Sequence, residues 1–126
     1  MPLVRISIRR GKPASHHTAI LDGIYDAMRA TFTVPEEDRF MVISEHDEST
    51  FSFSKTYLGI ARTDDLVLIQ ITCSNTRDRD TKKALYRAIT DNLSKAPGLR
   101  PEDIFINLVE TLPENWSFGH GLAQYV

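Results

Sequence analysis

Cysteine occurs once in the 126 residues, at Cys73. One thiol cannot close an intrachain disulfide or build a thiolate metal cluster, and such sparing use suits a reducing cytoplasm. Because Cys73 ends an apolar strand pattern, it reads as a small core residue rather than a nucleophile. Long apolar runs are also missing. Stretches such as Leu66 to Ile69 fall far short of the roughly 20 residues of a spanning helix, and Arg5, Arg9 and Arg10 interrupt the N-terminal region, so no span, anchor or signal peptide is expected. Neither charge dominates: 15 basic against 17 acidic residues leave a net −2, which gives no pull toward nucleic acid or an anionic membrane. Metal-ligand spacing is absent as well. His16 and His17 are helix neighbours that point in different directions, and His46 and His120 lie far off in sequence, so no metal site is expected. Gly119 and Gly121 lack the third glycine of a dinucleotide turn and read as a C-terminal turn, leaving no cofactor implied.

What is present is periodicity. Val4, Ile6 and Ile8 alternate with Arg5, Ser7 and Arg9, the pattern of a half-buried strand that starts almost at the terminus. Beyond Gly11 and Pro13, the residues Ile20, Leu21, Ile24, Met28 and Phe32 recur at helical spacing, and Pro35 ends that helix. A second strand is predicted over Arg39 to Ser44, then a polar turn over Glu45 to Thr50 and a short hairpin at Phe51 and Phe53. Leu66 to Ile71 is apolar nearly throughout and predicts a central strand covered on both faces. A second amphipathic helix spans Asp80 to Lys95, stopped by Pro97 and Gly98, and a last strand runs from Ile104 to Val109.

This order predicts one α/β (α+β) domain over residues 1–126 with a duplicated β-α-β layout: a first unit at about 2–53, a second at about 66–110, and a C-terminal aromatic segment at 111–126. Two helices on one face of a four-stranded sheet leave the other face uncovered, and oligomerisation is the simplest remedy.

Pro2 follows the initiator methionine, and proline is small enough for Met1 removal to be expected. The product would carry a secondary amine at its terminus. An α-amino group ordinarily titrates at about 7.7 to 8.0, and both desolvation and a nearby cation lower that value. Such an amine is a competent general base near pH 7, or a nucleophile toward a carbonyl. A proline at this position also occurs merely to permit processing. The strand that begins at once would hold the amine in place rather than on a loose tail.

The start Pro2-Leu3-Val4, the segment Val34-Pro35-Glu36-Glu37-Asp38-Arg39-Phe40, Asn75-Thr76-Arg77 before Lys82-Lys83-Ala84-Leu85-Tyr86, and the ending Asn115-Trp116-Ser117-Phe118-Gly119 together resemble the malonate semialdehyde decarboxylase branch of the tautomerase superfamily. The matches run in order along nearly the whole chain. The resemblance implies a duplicated β-α-β fold, a homotrimer and catalysis by the N-terminal proline. It makes Pro2 the catalytic residue and Asp38 the acid that directs water or a carbonyl, although Asp38 also reads as a turn cap or a partner of Arg39. It makes Arg77 the anchor of a substrate carboxylate, against the alternative of a solvated surface arginine. Asn75 stands where the decarboxylases carry the first of two arginines, and one arginine with a neutral amide supplies less positive charge for carbon dioxide loss. Trp116 and Phe118 correspond to the family's aromatic wall, whereas Tyr125 reads as ordinary packing. The expected activity is tautomerisation of a small 2-oxo acid or its enol. Decarboxylation or hydration of a 3-oxo or unsaturated acid, and a non-catalytic trimeric binding protein, are the alternatives.

Overall fold

The computed structural model describes residues 1–126. Strand β1 (Leu3–Arg9) leads to helix α1 (Ala14–Phe32) and strand β2 (Met41–His46), and the second half repeats the order as β3 (Val67–Ser74), α2 (Arg79–Lys95) and β4 (Ile104–Thr111). The sheet order is β2-β1-β3-β4. Each half is a parallel pair, and the two halves join antiparallel through β1 and β3, with Ile6 opposite Ile69. Both β-α-β units and the placement of the helices follow the sequence pattern.

The apolar stripes explain the packing. Val4, Ile6 and Ile8 of β1 and Val67, Ile69, Ile71 and Cys73 of β3 are buried beneath Ile20, Ile24 and Met28 of α1 and Leu85, Ile89 and Leu93 of α2. Gly23 lets the helices approach closely, because a Cβ there would lie 2.8 Å from Leu93 Cδ2. Thr33, with φ 55°, turns the chain out of α1, and its N–H bonds the Met28 carbonyl. Asp78 caps α2 by accepting the Thr81 N–H at 2.8 Å, which satisfies one of the unpaired donors at a helix start.

The opposite sheet face has no helix. Register sets Arg5, Gln70 and Asn107 in one row across it, flanked by Phe105, Val42 and Val109, which are 45%, 48% and 38% exposed. Within the chain β3 is therefore covered by the helices on one face, and its other face lies on the side that the expected layout leaves uncovered. Val67, Ile69 and Ile71 face the helices, while Leu68 and Gln70 point away. The middle segment departs from expectation. β2 begins at Met41 rather than Arg39, and no hairpin forms at Phe51 and Phe53. Phe51 turns inward to stack on His46 at 5.6 Å, with Phe53 edge-on to it at 5.5 Å. Local alternation resembles a strand, but apolar burial against the end of β2 decides the conformation.

Asp103, 1% exposed, ties the loop before β3 to the start of β4 by accepting Thr63 N–H at 2.7 Å and Thr63 Oγ1–H at 2.6 Å. Asp103→Ala would orphan both donors. The expected loss is about 2–4 kcal/mol of folding stability, read as a lower urea midpoint with an unchanged denaturant slope.

Candidate active site

The first residues of the chain sit between two strands. Leu3 pairs with Thr72 of β3, Val4 with Met41 of β2, and the Val4 N–H bonds the Phe40 carbonyl at 3.0 Å. With β1 held on both sides, Pro2 is buried. It lines a cavity of about 410 Å³ together with Met1, Leu3 and Phe40, the strand-end residues Thr72 and Thr111, and Trp116 and Phe118. Trp116 stacks on Phe118 at 5.4 Å and 18°, and Phe118 meets Tyr125 edge-on at 4.8 Å. Tyr125 thus supports the wall from behind without lining the cavity.

Asp38 comes to the same place from the loop between α1 and β2. A turn closed by Asp38 N–H on the Pro35 carbonyl at 3.0 Å fixes the backbone. Arg39 is not its partner, since that guanidinium bonds Asp22 at 2.7 Å and lies over the Tyr25 ring. Asp38 Oδ2 is instead 3.9 Å from the Met1 amine, the two side chains being 12% and 11% exposed. Asp38 Oδ1 is buried with no hydrogen-bond partner. Burial is the strongest influence on both groups. It lowers the pKa of the amine, opposed by the Asp38 charge and assisted by Arg77. It raises the pKa of Asp38, opposed by the amine and Arg77. Both members of the pair are driven toward their neutral forms.

Arg77 acts on this pair through its charge rather than as a cavity wall. Its guanidinium donates to the Phe32 carbonyl at 3.1 Å and lies over the Phe32 ring at 4.6 Å, closing the carbonyl end of α1. Asn75 is exposed, away from the cavity lining, and its backbone N–H bonds the Thr111 carbonyl at 3.2 Å. Of the six residues singled out in the sequence, Pro2, Trp116 and Phe118 line the cavity, Asp38 and Arg77 supply its electrostatics, and Asn75 stands apart. Phe40, present in the sequence reading only as the end of the Val34 to Phe40 segment, and Thr72 and Thr111, which that reading does not single out, also line the cavity. Thr72 was detectable in principle, because alternation along β3 puts it on the face opposite Ile71 and Cys73. No grouping of three or more His, Cys, Asp or Glu side chains is arranged to hold a metal ion.

A family model described as tautomerase enzyme matches residues 38–119. The probable tautomerase YusQ of Bacillus subtilis (strain 168) is 38% identical over all of this chain and 99% of its own length. The chain belongs to the tautomerase superfamily, in its malonate semialdehyde decarboxylase-like branch. A second B. subtilis relative of this tautomerase-superfamily chain, the probable tautomerase YrdN, is 32% identical over 100% of this chain and 97% of its own length. Crystal structures of malonate semialdehyde decarboxylase superpose with TM-score 0.91 at 29% identity, covering 98% of this chain and 95% of that one. The FG41 malonate semialdehyde decarboxylase inhibited by 3-bromopropiolate also gives TM-score 0.91, at 33% identity and 98% and 93% coverage. A fused 4-OT trimer, 20% identical with TM-score 0.78 and 95% and 94% coverage, shares the fold.

The electrostatics give a test with opposite signs. Asp38→Asn removes the charge that favours the protonated amine, so the terminal amine should titrate lower. Arg77→Gln removes a charge that disfavours it, so the amine should titrate higher. Reductive methylation of the terminus with a ¹³C label, followed by NMR across pH, reads both directions.

Proposed function

We propose that the enzyme catalyses tautomerisation of a small 2-oxo acid or its enol, with Pro2 as general base once Met1 is removed. One observation carries this reading: Pro2, the residue that would become the terminus, is buried in an aromatic-walled cavity where burial already lowers the pKa of the Met1 amine beside it. The neutral Pro2 nitrogen would take the enol hydroxyl proton, and the resulting cation would return a proton to the adjacent carbon, leaving the ketone and a regenerated base. Arg77, the cation whose charge acts on both the terminus and Asp38, would anchor the substrate carboxylate through N–H groups not bonded to Phe32. Asp38 would direct the carbonyl or a water, and Trp116 and Phe118 would keep bulk water away.

Decarboxylation or hydration of a 3-oxo or unsaturated acid is the second reading, favoured by the buried, unpartnered Asp38 Oδ1. The 29% identical malonate semialdehyde decarboxylase is described as having decarboxylase and hydratase activities. Asp38→Asn separates the two readings, because hydration should vanish while proton transfer persists. A trimeric binding protein that retains Met1 is the third, since an acylated proline nitrogen cannot act as a base. Under all three readings the bare sheet face bearing Phe105, Val42 and Val109 would be covered by copies of the same chain in a homotrimer, the assembly of the fused 4-OT relative.

Intact mass of the purified protein should show Met1 removed. Pro2→Ala should lower turnover of phenylenolpyruvate by about 100-fold or more; equal rates in the two proteins would remove Pro2 from the mechanism.

A further inference from the structure

Residues 116–126 carry the aromatic wall of the cavity, yet they are joined to the rest of the chain by a single hydrogen bond. The indole Nε1–H of Trp116 donates to Thr111 Oγ1 at 2.7 Å. The remaining hydrogen bonds of this segment are internal: Phe118 N–H to Gln124 Oε1, Gln124 Nε2–H to the Gly119 carbonyl, Leu122 N–H to Gly119 and Val126 N–H to Ala123. The segment makes no ion pair. Its outer face is open, with Leu122 61% and Val126 78% exposed.

The acceptor is firmly held. Thr111 is the last residue of β4, in register with Ser74, and its hydroxyl donates to the Cys73 carbonyl at 3.1 Å. The hydroxyl proton is thereby directed at the sheet, which leaves an oxygen lone pair facing the indole. A short turn over Pro113–Asn115, closed by Asn115 N–H on the Leu112 carbonyl, brings Trp116 back over the residue five positions earlier. Phe118 then stacks on the indole, and Tyr125 meets Phe118 edge-on.

We propose that Thr111 is the positioning residue of the substrate cavity: its hydroxyl relays the rigidity of the β3–β4 edge to Trp116, and through the stack to the whole aromatic wall. On the tautomerase reading, a substrate whose reacting carbon lies at Pro2 would turn its remaining groups toward this wall. Loss of the tether should therefore weaken binding of a substrate with an aryl or other bulky apolar group more than it slows the proton transfer at Pro2. This kinetic half rests on the tautomerase reading above, whereas the positional half does not.

The chain has one tryptophan, so intrinsic fluorescence reports on this contact directly. Thr111→Val keeps the shape of the side chain and removes the acceptor, whereas Thr111→Ser keeps the hydroxyl. In Thr111→Val the emission of Trp116 should move to longer wavelength and become more readily quenched by acrylamide, and KM for phenylenolpyruvate should rise about fivefold, more than kcat falls. Thr111→Ser should restore both. Trp116→Phe, which keeps an aromatic ring, though a smaller one, and lacks the donor, should raise KM at least as much, and adding Thr111→Val to it should raise KM no further. Unchanged emission in Thr111→Val, or failure of serine to restore it, would overturn the assignment. If the wild-type protein turns over no enol, the function proposed above falls, while the fluorescence comparison still decides the role of Thr111.

Discussion

Strand β1 lies inside the sheet and is paired on both sides from its first residues, and the site depends on that constraint. A terminal strand at a sheet edge, or one that starts several residues in, would leave the first residues mobile. Here Leu3 and Val4 are locked to β3 and β2, so the preceding residue has no choice of position. The antiparallel join of β1 and β3 also decides which strand ends meet. The start of β1 and the ends of β3 and β4 converge, bringing Thr72 and Thr111 beside Pro2 from distant parts of the chain.

Around that fixed point the protein combines an aromatic wall with a sparse charge pattern. Burial disfavours a protonated Met1 amine and an ionised Asp38 alike; the Asp38 charge opposes the effect on the amine, and Arg77, held against the end of α1, assists it. The wall is a late addition to the chain, stacked on itself and tied to the sheet at one place. The chemistry of the terminus and the shape of the cavity are thus supplied by different parts of the fold.

Much of this was legible in the sequence because periodicity reports burial. The stripe Ile20, Ile24, Met28 and Phe32 and the alternation Val4, Ile6, Ile8 mark the two sides of one core, and their order gives the β-α-β halves. Phe51 and Phe53 misled because two aromatics in alternation suit a strand equally well as they suit a loop that buries one ring against His46. β3 was read more fully: its apolar composition asked for cover on both faces, and the layout with both helices on one side already left the face bearing Leu68 and Gln70 bare. Pro2, Trp116 and Phe118 were found by chemistry and resemblance. Thr111 and Phe40 were not, since a threonine at a strand end has no distinctive spacing and gains its importance only from the residue that folds back onto it.

On the proposed function, the sheet would place a neutral secondary amine in the cavity at physiological pH once Met1 is removed. The most direct measurement is an NMR titration of the protein labelled with ¹⁵N-proline, following the nitrogen of Pro2 after Met1 removal. A single titration below the 7.7 to 8.0 typical of α-amino groups is expected. A Pro2 nitrogen that remains an amide, or one that stays protonated through and above that range, would contradict the proposed function.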